Sequence, residues 1–238
     1  MTQCHKERAL VLSGSIGSTT EMWEPQLDAL AGFDVVAVDH PGHGRGPVPT
    51  EPIGIADLGR AVLAALDRRG IERASFCGLS LGGAVGIWLA ANAPGRVERL
   101  VLACTKPAFR DPQGWDDRAA IVRAHGMEAI VDTVIERWFT PAFRDRARWR
   151  AMMASIDPEG YARCCEVLRD LDLRADLARI EVPTLVLAGA EDPAVEPEAT
   201  ELLVSRIPGA RLERVPGAHL PNIEHPAAFA EAVTSFLE

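Results

Sequence analysis

The sequence predicts an α/β protein built on a mainly parallel sheet of about six strands. Short runs of β-branched and aliphatic residues recur along the chain, and each has the length and composition of a buried strand. Helical stretches separate most of them, and this alternation is typical of right-handed crossovers onto one parallel sheet. A chain of 238 residues with 47% hydrophobic content can bury one sizeable core. We therefore expect a single core that carries one insertion.

The predicted elements are short and evenly spaced outside one long segment. The strands are Ala9 to Leu12, Asp34 to Val38, Ala74 to Cys77, Leu100 to Ala103, Thr184 to Ala188 and Arg211 to Val215. The clearest helices are Gly54 to Arg69, Leu81 to Ala93, Glu198 to Ile207 and Pro226 to Leu237. From about 106 to 180 the pattern is helical, with no convincing strand. We predict a core formed by residues 1–105 and 181–238, with residues 106–180 inserted as a helical cap.

Charge and cysteine content narrow the function classes. The net charge of −9 at pH 7 disfavours binding to nucleic acid and to anionic membrane surfaces. The five cysteines are odd in number and show no metal-ligand spacing, which favours a reducing compartment. The sequence shows neither a signal-peptide pattern nor an apolar run long enough to cross a bilayer. We predict a cytoplasmic protein that binds neither nucleic acid nor membrane.

The stretch FCGLSLGG, Phe76 to Gly83, follows a predicted strand, precedes a predicted helix and fits the pattern G-x-S-x-G. This pattern is typical of a sharp turn in which glycines let strand and helix approach closely. The serine is then held in a strained conformation with its hydroxyl exposed. Ser80 is thus a candidate nucleophile. Glycine-rich turns of this kind also occur in α/β proteins without catalysis, so the motif alone leaves both alternatives open.

Two further polar residues come directly after predicted strands, where the sites of open parallel sheets collect. Asp192 follows the fifth strand and His219 follows the sixth. A neutral His219 can act as a base toward serine, and Asp192 can orient its ring and stabilise the imidazolium. The alternative for Asp192 is a turn before Pro193 without a catalytic role. The order Ser80, Asp192, His219 is the one that the α/β-hydrolase fold requires, so we predict that fold and serine-dependent hydrolysis.

Two backbone amides are candidates for an oxyanion hole. The amide of Leu81 begins the helix after the serine, so it points toward the developing charge. The loop Ser13 to Gly17, after the first strand, lies beside the serine turn in this fold. We expect the second donor to be the amide of Ile16, with Ser15 as the next choice. The alternative for this loop is a flexible turn of small residues.

Long stretches of the chain resemble the 3-oxoadipate enol-lactonases. The similarity runs through nearly the whole sequence, including the insertion, which differs most between α/β-hydrolase families. The matching stretches are MWEPQL from Met22, CGLSLGGAVGIWLAANAP from Cys77, RVERLVLACT from Arg96, GMEAIVDTVIERWFTPAFR from Gly126, GYARCCEVLRDLDLRADL from Gly160, and GAEDP with GAHLPNIEHP.

The resemblance implies an activity and a set of roles. An enol-lactone bearing an acetate arm would be opened to 3-oxoadipate, in the β-ketoadipate pathway of aromatic degradation, without metal or organic cofactor. Ser80 would attack the lactone carbonyl and His219 would take the serine proton. The amides of Ile16 and Leu81 would hold the oxyanion. The binding partner is then a small-molecule lactone.

The sequence departs from this family in two places. About eight residues precede Leu10, where the family usually has a β-hairpin, so we expect the sheet to lack its first two strands. The strand Asp34 to Val38 would then lie at an edge, which must be covered or leaves room for a homo-oligomer. Pro41 stands where the family commonly has an arginine; if that arginine helps to hold the loop after the first strand, the loop needs another support in this sequence. We expect the flanking His40 and His43 to be structural.

Substrate choice is expected to depend on the insertion. We favour Trp138 as a residue that lines the pocket. Arg123, Arg110 and Lys106 are candidates to bind the substrate carboxylate, because a guanidinium can pair bidentately with it. The alternative is that Trp138 packs in the core and that the arginines form a solvated face. Two other functions stay open: a general carboxylesterase or perhydrolase with the same three residues, and a non-catalytic ligand-binding protein.

Overall fold

A computed structural model describes residues 8–109 and 111–238. In this part of the chain six strands form one sheet in the order β2-β1-β3-β4-β5-β6, and every neighbouring pair is parallel. The strands are β1 Ala9–Ser13, β2 Asp34–Val38, β3 Ala74–Leu79, β4 Val97–Ala103, β5 Thr184–Gly189 and β6 Arg211–Val215. The predicted α/β class and mainly parallel sheet are confirmed.

The α-helices of the described residues are α1 Ile55–Arg68, α2 Leu81–Asn92, α3 Pro112–His125, α4 Val131–Trp138, α5 Ala147–Ala154, α6 Pro158–Arg169, α7 Pro197–Arg206, α8 Pro221–Glu224 and α9 Pro226–Leu237. The helix α2 is apolar on nearly all sides and buried almost throughout, as expected for a helix between the sheet and its neighbours. By contrast, α1 buries only one stripe, which includes Leu58, Val62 and Leu66.

The strand β4 begins three residues earlier than predicted, at Val97 rather than Leu100. The two charged residues Glu98 and Arg99 hid this start from the hydrophobic pattern. The start of β4 is set by its parallel pairing with β3, because Val97 lies opposite Ala74 of that strand. Parallel pairing with a buried neighbour therefore extends a strand through side chains that face outward.

The helices α3 to α6 all lie between β4 and β5, within the segment predicted to be inserted. The described residues of this segment carry one isolated β-bridge, between Ala108 and Asp172, and a bond from the Leu173 amide to the Pro107 carbonyl, 2.8 Å. These contacts bring the two ends of the segment together. That it forms a cap distinct from the core, with the stated boundaries, stays a prediction.

The strand order creates a switch point between β1 and β3. The chain leaves β1 toward β2 and then crosses back to β3, so the loops after β1 and β3 diverge at the same edge of the sheet. Ligand sites of open parallel sheets form at such crevices. The loops that follow β1 and β3 are those singled out from the sequence.

Among the described strands, β2 lies at one edge of the sheet, as expected. Arg69 covers part of this edge, because its guanidinium donates to the Val35 carbonyl, 3.1 Å, and to the Asp34 carboxylate, 2.6 Å. Charged side chains over an edge disfavour pairing with another chain. Homo-oligomer formation stays a prediction, and residues 1–7 lie outside the described residues.

Candidate active site

Ser80 occupies the turn between β3 and α2 with φ 57° and ψ −113°. A positive φ is strained for a residue with a side chain. Two glycines permit the turn. A Cβ on Gly78 would lie 2.2 Å from the Gly82 carbonyl oxygen, and a Cβ on Gly82 would lie 2.0 Å from that of Ser13. The sequence therefore forms the strained turn that the G-x-S-x-G pattern predicts.

Hydrogen bonds from β4 and the segment after it hold this turn. The Ser80 amide donates to the Ala103 carbonyl, 2.9 Å. The Thr105 hydroxyl donates to the Ser80 carbonyl, 2.7 Å. Sequence reasoning missed Thr105, because nothing in its local pattern distinguishes it from any other threonine after a strand. These bonds fix a conformation that the backbone would otherwise leave.

Asp192 and His219 meet across the ends of β5 and β6. The Nδ1 atom of His219 lies 2.9 Å from Oδ2 and 3.1 Å from Oδ1 of Asp192. Both side chains are nearly buried: the exposed fraction is 8% for His219 and 3% for Asp192. The Ala194 amide also donates to Oδ1, 2.8 Å. A carboxylate that faces Nδ1 favours the tautomer with the proton on that atom, which leaves Nε2 free to act as a base.

Ser80 and His219 both line one cavity of about 410 Å³. The helix α4 forms part of its wall through Val134 and Trp138. Trp138 is only 2% exposed, and its carbonyl accepts from the Leu220 amide, 3.0 Å, directly after His219. The inserted segment and the loop that contains His219 are thus hydrogen-bonded to each other beside the cavity.

The loop after β1, residues 14–18, borders the same cavity through Ser15 and Ile16; we call it the β1 loop. The Gly82 amide donates to the Gly14 carbonyl, 2.9 Å, so this loop is bound to the start of α2. Within the described part of the chain the Ile16 amide has no hydrogen-bond acceptor. Leu81 is the first residue of α2, where an amide has no acceptor inside the helix. Both amides therefore stay candidates for donors to an oxyanion.

Comparisons with known proteins agree with this arrangement. The model of a family described as "Alpha/beta hydrolase family" matches residues 9–232. This chain belongs to that family. A curated 3-oxoadipate enol-lactonase of Acinetobacter baylyi is 37% identical over 97% of the chain and 88% of the relative. The crystal structure of an enol-lactonase from Burkholderia xenovorans superposes with a TM-score of 0.94 at 39% identity, covering 97% of this chain and 91% of that one.

A second activity appears among the relatives of this hydrolase. A pimeloyl-[acyl-carrier protein] methyl ester esterase of Pectobacterium carotovorum is 31% identical over 96% of the chain and 94% of the relative. Family membership therefore establishes an α/β hydrolase, and the resemblance to enol-lactonases is plain in sequence and structure. The substrate is a separate question.

In this hydrolase two histidines support the β1 loop. His40 Nε2 lies 2.8 Å from the Gly14 carbonyl oxygen, and His43 Nε2 accepts from the Gly17 amide, 2.9 Å. Burial lowers the pKa of His43 to about 3, and the neighbouring His40 adds to this fall. Burial also lowers the pKa of His40. The two neutral rings therefore hold the β1 loop through the Gly14 carbonyl and the Gly17 amide, as expected for histidines with a structural role.

The expectation that Arg123 binds a substrate carboxylate is wrong. Its guanidinium pairs with Glu159, 2.7 and 2.9 Å, and with Glu166, 2.7 Å, and it is not among the residues that line the cavity. Lys106 does line the cavity, but its ammonium group binds Glu196, 2.9 Å. Arg110 lies outside the described residues.

Several residues that line the cavity were not singled out from the sequence, among them Trp115, Arg118 and Arg137. The helix α3 carries Trp115 and Arg118, and α4 carries Arg137. Only the packing of the helices shows which of the many arginines face the cavity. Arg118 and Arg137 add positive charge to a cavity that Asp111 and Glu196 also line, and a local cation attracts a substrate that carries a negative charge.

Among the described residues, no three His, Cys, Asp or Glu side chains converge in a way that could hold a metal ion. No helix in the described ranges combines the length and apolar character needed to cross a membrane.

Proposed function

We propose that this hydrolase opens 3-oxoadipate enol-lactone to 3-oxoadipate in the catabolism of aromatic compounds. One observation carries the proposal: the cavity that contains Ser80 and His219 is walled by cap residues from segments that resemble enol-lactonases, among them Trp138. The similarity to curated enol-lactonases over 97% of the chain supports it. We further propose that the enzyme acts in the cytoplasm on this small lactone without a cofactor.

In the proposed mechanism Ser80 attacks the lactone carbonyl while His219 Nε2 removes the serine proton. Asp192 holds Nδ1 at 2.9 Å and stabilises the imidazolium that forms. The strained turn at Ser80 presents the hydroxyl before substrate arrives. The serine needs no change of its own pKa because the adjacent base takes the proton as the bond forms.

The tetrahedral intermediate places negative charge on the former carbonyl oxygen, and we assign its stabilisation to the amides of Ile16 and Leu81. Fixed amides need no reorganisation during the reaction, and loss of one such donor typically costs roughly a hundred- to a thousandfold in rate. Collapse breaks the ring C–O bond while the His219 imidazolium returns its proton to the departing oxygen, and the enol that leaves becomes a ketone. Water activated by His219 then cleaves the acyl-enzyme and releases Ser80.

The second candidate is a carboxylesterase or perhydrolase that uses the same residues. The 31% identity to a methyl ester esterase over 96% of the chain favours this alternative. A non-catalytic ligand-binding protein is the third. Both predict slow or absent turnover of the enol-lactone.

The deciding experiment follows loss of ultraviolet absorbance from the enol-lactone, generated in place from muconolactone by its isomerase. Wild type is compared with Ser80→Ala and with turnover of a 4-nitrophenyl ester. We expect fast lactone loss, slow ester cleavage and a fall of at least about a thousandfold in Ser80→Ala. Fast ester cleavage with slow lactone loss would instead establish an esterase. Equal activity in Ser80→Ala would exclude the proposed mechanism.

A further inference from the structure

The cavity wall formed by α3 contains a cation that the proposed mechanism does not use. We propose that Arg118 binds a free carboxylate on the substrate and so selects lactones and esters that carry one. This inference rests on one part of the proposed function, hydrolysis that depends on Ser80, because the test measures the rate of that hydrolysis.

The surroundings of Arg118 suit a carboxylate. Its guanidinium carbon lies 4.8 Å from the centroid of the Trp115 ring, and both residues line the cavity with Ser80 and His219. A guanidinium stacked on an aromatic ring keeps its N–H edge available for a bidentate partner. Among the described residues no carboxylate forms an ion pair with Arg118.

The other charged residues of the cavity wall are already engaged or exposed. Lys106 pairs with Glu196 and lies 4.9 Å from the Phe109 ring centroid. Asp111 caps α3 by accepting from the Gly114 amide, 2.9 Å. Arg137 is exposed to solvent. Arg118 is partly buried, and a charge that is shielded from water acts more strongly on a bound anion.

Arg118 also lies close to Tyr161 of α6. Burial raises the pKa of the Tyr161 phenol, and the guanidinium opposes that rise. Contacts to α6 and to Trp115 limit the motion of a long side chain, so less conformational entropy is lost when a carboxylate binds. The substrate class is then an ester or lactone whose acyl part also carries a free carboxylate.

The test uses two esters with the same leaving group: mono-4-nitrophenyl glutarate, which carries a carboxylate, and 4-nitrophenyl butyrate, which does not. We expect Arg118→Gln to raise KM for the glutarate ester by roughly ten- to a hundredfold, the range for a lost charge-assisted hydrogen bond. Its kcat for that ester and both constants for the butyrate ester should change little. Arg118→Lys should give a KM for the glutarate ester between those of wild type and Arg118→Gln, because lysine keeps the positive charge but lacks the paired donors of the guanidinium.

Arg123→Gln is the matched control, because it removes the same charge from the same helix outside the cavity. It should leave the preference between the two esters unchanged. An equal loss on both esters in Arg118→Gln, or no loss on either, would overturn the proposal. If Arg118→Gln does not fold, Arg118→Lys decides, and an unchanged preference in it overturns the proposal. Neither ester is the enol-lactone, so failure of the lactonase assignment is detected separately.

Discussion

His43 Nε2 accepts a hydrogen bond from the Gly17 amide, 2.9 Å, although the two residues lie 26 positions apart. The other ring nitrogen, Nδ1, lies 2.8 Å from the Pro41 carbonyl oxygen. Since a carbonyl only accepts, Nδ1 carries the proton and the ring is neutral. Its ring stacks on the ring of Tyr161 in α6, with 6.2 Å between the ring centroids and an angle of 22° between the ring planes. One buried ring therefore ties the β1 loop to a helix of the inserted segment.

Loss of this acceptor should reduce turnover more than substrate binding. In His43→Leu the Gly17 amide loses its partner, and the neighbouring Ile16 amide is no longer held toward the serine. We expect kcat to fall by roughly ten- to a hundredfold with KM changed little. In His43→Gln, Oε1 can take the place of Nε2 and should restore part of kcat. Steady-state kinetics on one ester measures both variants. Equal kcat in the two, at matched thermal stability, would contradict a positioning role.

The same ring predicts an acid-sensitive stability. In the folded protein His43 stays neutral down to a pKa of about 3, whereas the unfolded chain takes up a proton near 6.5. The unfolded state therefore binds more protons between these values, and the free energy of unfolding falls as the pH falls through this window. One such group contributes about 1.4 kcal/mol per pH unit. His40 acts in the same direction.

Urea unfolding at a series of pH values from 7 to 4 measures this dependence. The variant His43→Gln should show a shallower loss between pH 6 and 4, since it lacks one of the groups that titrate. His125→Gln is the control, because this histidine lies at the end of α3, away from the β1 loop. An unchanged slope in His43→Gln would contradict the neutral, buried state of the ring.

The sequence predicted the fold because strong local signals agree with the tertiary structure. Apolar runs bounded by turn residues locate all six strands, with three residues lost at the start of β4 where Glu98 and Arg99 interrupt the pattern. The G-x-S-x-G turn has a local backbone requirement, so Ser80 is recognisable without a structure. The chain order of Asp192 and His219 then follows from the fold.

The cavity wall was not predictable in the same way. Arg118 and Arg123 lie on the same helix, five residues apart, which places them about 140° apart around its axis. One side chain therefore faces the cavity while the other meets Glu159 and Glu166. The choice depends on how α3 packs against α6, and no local pattern encodes that rotation.

Ser15 offers a case in which activity and stability should separate. It is 1% exposed and lines the cavity, and its hydroxyl has no hydrogen-bond partner among the described residues. Removal of an unpartnered hydroxyl sacrifices no intramolecular bond and removes a buried polar group. We expect Ser15→Ala to keep or slightly raise the melting temperature while lowering kcat/KM, because the hydroxyl is free to donate to a bound substrate. Unchanged kcat/KM would exclude that role.

Gly82 tests how closely the serine turn and the β1 loop are joined. An alanine at this position would place its Cβ 2.0 Å from the Ser13 carbonyl oxygen and 2.9 Å from that of Gly14. Helix propensity favours alanine over glycine by about 1 kcal/mol, but both opposing atoms belong to the backbone of β1 and its loop, which can yield only if the sheet distorts. We expect the clash to dominate, with a net loss of about 3 kcal/mol or more in the free energy of unfolding.

Gly32→Ala is the matched control, since its Cβ would meet nothing within 4 Å. It should keep or raise the free energy of unfolding by up to about 1 kcal/mol. Urea unfolding of both variants makes the comparison, and an equally stable Gly82→Ala would mean that α2 and the β1 loop are less tightly joined than the Gly82–Gly14 bond of 2.9 Å requires.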